Sequence, residues 1–149
     1  MRPDRTLDHQ AIAARIPHAG AMCLLDAVES WDTANILCRA ISHRDVRNPL
    51  RCNGELSALC AIEYGAQAMA VHASLLGAAA GKPRSGYLAA IRDAEFLVSR
   101  LDDCADDLSV RAERLGGDEH GMQYAFSVHA AGAELARGRL TARIGDLPP

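Results

Sequence analysis

The sequence predicts an α+β domain in which a curved antiparallel sheet wraps around one long, buried helix. Two observations indicate this fold class. Residues 56–80 are small or apolar on every side, which is typical of a helix enclosed by other structure. Two strand-like runs precede that helix and four follow it, so the sheet is long enough to curl around it. At 149 residues, the chain is expected to form a single domain, residues 1–149.

The elements before the long helix follow from local patterns. Residues 7–16 space their apolar side chains as an amphipathic helix does and precede a proline. Residues 24–31 and 35–42 have strand character, and the polar turn between them predicts a hairpin. Residues 43–54 are polar and end in Asn-Gly, which predicts a loop long enough to carry function.

The elements after the long helix are expected to be strands only. Turn-forming segments such as GGDEHG and AAGA separate four runs, and the last three runs are expected to form an antiparallel meander. The runs are residues 86–99, 108–115, 122–129 and 134–144.

Composition excludes several classes of protein. The chain has 16 basic and 19 acidic residues and a formal charge of −3, which argues against a nucleic-acid binder that neutralises phosphates. Its first ten residues lack the apolar segment of a secretory signal, and the most apolar stretch is interrupted by Glu63, Gln67 and His72. We therefore expect a cytoplasmic protein that neither enters nor crosses a membrane.

The cysteines predict no covalent or metal framework. There are five, an odd number, and no C-x-x-C pair, so neither disulfides nor a zinc site is indicated. They are interpreted as reduced thiols that pack in the interior, and no metal or cofactor is predicted.

Three motifs in order give the sequence a family resemblance. IPH at residues 16–18 is followed by MCLLD at residues 22–26, then by IEYGAQA at residues 62–68 and YLAAIRDAEF at residues 87–96. This series resembles the hotdog-fold β-hydroxyacyl-[acyl carrier protein] dehydratases over nearly the whole chain. The resemblance implies a hotdog fold and dehydration of a 3-hydroxyacyl thioester, carried on acyl carrier protein or coenzyme A, in fatty-acid or aryl-polyene-type lipid synthesis.

The loop before the long helix departs from the family pattern. Typical members carry a catalytic histidine there, whereas residues 47–54 of this chain read RNPLRCNG. Asn48 is the nearest match in register and is expected to orient substrate. The altered loop is similar to that of a divergent dehydratase-like branch found in aryl-polyene and related lipid clusters.

Glu63 is the main catalytic candidate. It matches the glutamate of the family's helix motif, and a carboxylate in an apolar helix is suited to proton transfer near neutral pH. The alternative is a hydrogen-bonded structural glutamate. Gln67 lies one turn later on the same stripe and is expected to bind substrate.

Further groups are needed to complete the reaction. The amides of Ser57, Ala58 and Leu59, at the start of the helix, are expected to bind the thioester oxygen. The base is missing from the loop; His43 is a candidate, with a surface position at a strand end as its alternative. His18 belongs to the opening motif but is expected to be structural.

The expected partner is a second hotdog subunit, identical or different, with the two long helices side by side. Arg137, Arg139 and Arg143 alternate along the last strand and are expected to form a solvated face, or a basic stripe that steers an acidic carrier protein. A hotdog thioesterase and a non-catalytic acyl-binding subunit that pairs with an active dehydratase remain alternative functions.

Overall fold

The computed structural model describes residues 6–18, 20–77 and 86–145. In those residues the strands form one seven-stranded antiparallel sheet with the order β1-β2-β3-β5-β6-β7-β4. The strands are β1 (Leu7–Asp8), β2 (Ala27–Trp31), β3 (Asn35–Ala40), β4 (Gly86–Phe96), β5 (Leu108–Gly117), β6 (Gly121–Ala130) and β7 (Ala133–Ile144). The helices are α1 (His9–Ala13) and α2 (Ala61–Leu76), with 3-10 turns at Gly20–Met22, Ser42–Arg44 and Ala58–Cys60. The predicted fold class, a hotdog fold with one long helix on a curved antiparallel sheet, is confirmed.

Helix α2 packs one face against the central strands and leaves the other half-exposed. Gly65 lies so close to β6 that a Cβ atom there would stand 2.6 Å from the ring of Phe126. On the opposite face Glu63, Ala66 and Ala70 are only partly buried. Within this chain, the predicted enclosure is therefore seen on the sheet-facing side, and the other face is the one expected to contact a second subunit.

Some predicted element bounds differ from the structure. Strand β2 begins at Ala27 rather than at residue 24, because the amide and carbonyl of Leu24 bond to the side chains of Gln67 and Ser42. Helix α1 is shorter than residues 7–16, and the two-residue strand β1 precedes it. The predicted end of the long helix, residues 78–80, lies outside the described residues.

The arginines of β7 do share one exposed face, as predicted, but carboxylates compensate two of the three. Arg137 contacts Glu95 at 2.6 Å, and Arg139 lies 3.7 Å from Asp93. Both carboxylates belong to the neighbouring strand β4. This pairing favours a solvated sheet face over a basic stripe that attracts a carrier protein.

The cysteines divide into buried and accessible groups. Cys23 and Cys38 are buried packing groups, and burial raises the pKa of the Cys38 thiol to about 12. Cys52 is exposed, so its interpretation as a packing residue is wrong. Burial, followed by the charge of Glu63, raises the pKa of the Cys60 thiol, which disfavours a thiolate nucleophile.

No helix among the described residues is long and apolar enough to span a bilayer.

Candidate active site

The site is built around Glu63, in the first turn of α2. Its Oε1 atom lies 3.0 Å from Nε2 of His18, and both side chains are partly open to solvent, with exposed fractions of 28% for His18 and 34% for Glu63. The sequence analysis predicts a structural role for His18, but its side chain contacts Glu63, the main catalytic candidate. The feature of the sequence that could have indicated this contact is the position of His18 within the opening motif.

Gln67 fixes this pair from inside the protein. Its Oε1 accepts from the amide of Leu24 at 2.9 Å, and its Nε2 donates to the carbonyl of Met22 at 2.7 Å and to Glu63 at 3.3 Å. The side chain is fully buried. Since both amide hydrogens are used and the side chain is buried, Gln67 has no free donor for a substrate, and in this arrangement it positions Glu63 and the opening segment.

A second network anchors the loop that follows β3. Nδ2 of Asn48 donates to the hydroxyl of Tyr64 at 3.3 Å and to the carbonyl of Ser42 at 2.9 Å, while its Oδ1 accepts from Leu50. The hydroxyl of Ser42 donates to the carbonyl of Leu24, so Tyr64 must donate to Ser42 at 2.8 Å. Asn48 is thus buried with both amide hydrogens bonded within the chain, an arrangement that holds the loop and leaves no free N–H for a substrate.

His43 is not the surface residue that the sequence suggested. It is fully buried, and its Nε2 lies 2.9 Å and 3.1 Å from the carbonyls of Asp106 and Cys104. Carbonyls only accept, so Nε2 carries the hydrogen, and burial lowers the pKa of His43. These contacts tie the loop to the turn before β5 and give no support to a role as the base.

Of the three amides expected to bind the thioester oxygen, those of Ala58 and Leu59 have partners within the chain, as does the next amide, that of Cys60. Ala58 donates to the carbonyl of Ser99 at 3.0 Å, Leu59 to the hydroxyl of Ser57 at 3.2 Å, and Cys60 to the carbonyl of Ser57 at 3.0 Å. The amides of Ala58, Leu59 and Cys60 are therefore not free: Ser57 caps the 3-10 turn before α2 and accepts two of these bonds, and Ser99 after β4 accepts the third. The amide of Leu59 has the longest of these bonds and the most exposed surroundings, so it is the easiest to divert to a ligand.

The sequence comparison identifies the family. The profile of the ApeP-like family, described as ApeP dehydratase, matches residues 10–145. The chain belongs to that family. Among curated proteins, no sequence matches it significantly.

Solved structures of hotdog enzymes share the fold. A chain of the dehydratase heterocomplex ApeI:P from Xenorhabdus doucetiae superposes with a TM-score of 0.81 at 24% identity, over 91% of this chain and 91% of that chain. A putative thioesterase from a Silicibacter species gives 0.61 at 17% identity, over 94% and 93% of the two chains. A hypothetical thioesterase with coenzyme A from Streptococcus pneumoniae gives 0.58 at 13% identity, over 82% and 87%.

In this ApeP-like chain, the arrangement is suited to proton transfer. A carboxylate and an imidazole 3.0 Å apart can share one proton, and both are accessible to a ligand. Within the described part of the chain, no group of three His, Cys, Asp or Glu side chains could hold a metal ion.

Proposed function

We propose that this chain eliminates water from a 3-hydroxyacyl thioester and that Glu63 transfers a proton in that reaction. One observation carries the proposal. On the open face of an otherwise apolar helix, a partly exposed carboxylate is held in a fixed position by a fully buried glutamine. Membership of a dehydratase family supports the same assignment.

The reaction requires two proton transfers. A base removes the hydrogen on the carbon next to the thioester, where the carbonyl stabilises the negative charge that develops. The carbon–oxygen bond to the 3-hydroxyl then breaks as an acid protonates that oxygen, and water leaves behind a 2-enoyl thioester. Glu63 can serve either step, depending on which group holds the proton beforehand.

The partner in this proposal is a second hotdog subunit. Strand β4 pairs only with β7 among the described strands, and it exposes Leu88 and Ile91 at its free edge. The half-exposed face of α2 offers Ala66 and Ala70 for close approach. The similar Xenorhabdus doucetiae chain comes from a heterocomplex, so either an identical or a different subunit suits this surface. Light scattering should give at least twice the chain mass of 15.9 kDa.

The carrier and the compartment belong to the same proposal. The acyl chain would arrive as a thioester of acyl carrier protein or coenzyme A, without a cofactor. A cytoplasmic location is supported by five free cysteines, one of them exposed, because such thiols persist in a reducing compartment.

The test is a turnover assay on the assembled protein. We expect 2-enoyl thioester to appear from 3-hydroxyacyl thioesters of at least one chain length, and the reverse hydration to be measurable. Glu63→Gln should reduce kcat about 100-fold or more while leaving the melting temperature nearly unchanged, since the amide keeps the shape but exchanges no proton. Failure to convert thioesters of several chain lengths in either direction would refute the proposal.

The same assay separates the alternative functions. The thioesterase folds among the structural neighbours favour hydrolysis as the second candidate, which would release a free thiol that a thiol reagent detects. A non-catalytic acyl-binding subunit would bind the thioester and leave it intact. In that case, activity of a complex would survive Glu63→Gln in this chain.

A further inference from the structure

We propose that His18 is the second catalytic residue, so that one chain supplies both proton-transfer groups. This inference rests on the proposed dehydratase function. The family resemblance places the catalytic histidine in the loop before the long helix, but residues 47–54 contain none. The structure brings a histidine to Glu63 from a different part of the chain, the segment between α1 and β2.

The opening segment is held in the position that this contact needs. Four and six residues after His18, Met22 and Leu24 are both bonded to Gln67, which also contacts Glu63. One buried side chain therefore sets the position of the carboxylate and of the segment that carries the imidazole. Such shared support is what a proton-transfer pair needs in order to keep a fixed separation.

The ring of His18 has one nitrogen available for exchange. Its Nδ1 is buried and has no hydrogen-bond partner among the described residues, whereas Nε2 faces Oε1 of Glu63 at 3.0 Å. The side chain is 28% exposed overall, so a ligand can reach the ring although Nδ1 is buried. Proton exchange is thereby directed through the edge that Glu63 and a bound substrate share.

The four histidines that follow His18 in the chain are less suited to this role. Both ring nitrogens of His72 are bonded, and His43 donates to two carbonyls. His120 and His129 face carboxylates, but at 3.5 Å and 4.0 Å and in β6 or the turn before it.

The pair balances the reaction without an external acid or base. Between them, His18 and Glu63 hold one exchangeable proton. The group without it takes the hydrogen from the 2-carbon of the acyl chain, and the group that holds it gives it to the departing hydroxyl as water forms. The newly captured proton then crosses the 3.0 Å hydrogen bond, which restores the starting state.

The first test compares two histidines of the same region. His18→Gln keeps a side-chain N–H near Glu63 but cannot exchange a proton, and should lower kcat about 100-fold or more with little change in KM. His9→Gln is the matched control, because His9 also anchors the opening segment, through a 2.9 Å bond to the carbonyl of Leu25. It should retain kcat within a few-fold. Full activity of His18→Gln, or an equal loss in His9→Gln, would overturn the proposal.

Two further measurements distinguish chemistry from structure. Added imidazole should restore part of the turnover of His18→Ala, because the removed ring is partly open to solvent, and should not affect His9→Ala. The double variant His18→Gln/Glu63→Gln should be no slower than the slower single variant, since the two groups act as a unit. Absence of imidazole rescue together with additive losses would assign His18 a structural role. A wild-type protein that turns over no thioester would instead overturn the proposed function, and the catalytic role of His18 with it.

Discussion

Two side-chain pairs on opposite faces of α2 each contain a histidine: an open pair, His18 and Glu63, and a buried pair, His72 and Tyr124. The comparison shows how one residue type serves two purposes. His18 meets Glu63 on the open face, where both side chains reach solvent. On the sheet-facing side, His72 is fully buried. Its Nε2 donates to the carbonyl of Asp32 at 2.7 Å, so its Nδ1 is unprotonated and accepts from the hydroxyl of Tyr124 at 2.6 Å.

The two pairs differ in whether their hydrogen-bonding groups are already engaged or can still contact a ligand. In the buried pair, both ring nitrogens are bonded and burial lowers the pKa of His72, which keeps the ring neutral. That pair ties α2 to β6 and to the turn after β2. In the open pair, the ring and the carboxylate can still exchange protons with a ligand. We therefore expect changes to the buried pair to alter stability and changes to the open pair to alter turnover.

Replacing His72 should give the largest effect on stability. His72→Phe preserves the ring's bulk but removes its hydrogen bonds with the Tyr124 hydroxyl and the Asp32 carbonyl, and should lower the free energy of unfolding by about 3 kcal/mol. Urea denaturation measures this change. His129→Phe on the partly exposed side of β6 is the control, with an expected change of about 0.5 kcal/mol or less. If the folded His72→Phe protein had a lower kcat than wild type, the assignment of stability to the buried face and turnover to the open face would be wrong.

Adding one methyl group on the buried face should have the next largest effect. The Cβ of Gly65→Ala would lie 2.6 to 2.9 Å from atoms of the Phe126 side chain, so the helix or the ring must shift at a cost of about 2 kcal/mol. Thermal unfolding measures the loss. Gly116→Ala is the control, because a Cβ there meets nothing within 4 Å. Equal melting temperatures for Gly65→Ala and wild type would show that the contact between α2 and β6 is loose.

Mild acid should also destabilise the folded protein, through two buried histidines. The pKa of His72 is lower in the folded protein than the unfolded value of about 6.5, and that of His43 is lowered for the same reason, burial. The unfolded chain therefore binds more protons below pH 6.5. The contribution of these histidines to the free energy of unfolding is fully present above that pH. It falls as the pH drops, by about 1.4 kcal/mol per pH unit for each histidine, until the folded pKa of that histidine is reached.

Urea midpoints measured between pH 7.5 and pH 5 report this loss. His72→Phe should show a shallower decline than wild type, since one of the two titrating groups is gone. An identical slope in the variant would show that His72 takes up no proton on unfolding. Asp102, whose pKa the neighbouring Arg100 holds well below its usual range, loses its contribution only at more acidic pH.

The fold could be predicted because its signals are local and repeated. Alternation along β7 separates exposed Arg137 and Arg139 from buried Ala136 and Leu140, and the small, apolar composition of α2 marks it as the element on which the sheet packs. The prediction of Glu63 used one further signal: a carboxylate stands out in such a helix, and its match to the family's helix motif favours a catalytic over a structural role. These inferences need only neighbouring residues.

The rest of the site could not be predicted because it depends on which hydrogen bonds are already made. The contact of His18 with Glu63 joins residues 45 positions apart and requires Gln67 to anchor the opening segment. The types of Asn48 and His43 are visible in the sequence, but their use in holding the loop is not. A residue type shows which chemistry is available; tertiary contacts decide whether that chemistry is already engaged.

The smallest expected effect comes from removing a single oxygen from the buried pair. Tyr124→Phe keeps the ring packed but deprives Nδ1 of His72 of its donor, and should lower the free energy of unfolding by about 1 kcal/mol. Because the two residues share that hydrogen bond, Tyr124→Phe/His72→Phe should be less destabilised than the sum of the single variants. Urea denaturation of all four proteins closes the cycle. Additive losses would mean that the 2.6 Å contact contributes no coupling energy, and that His72 holds the helix through the Asp32 carbonyl alone.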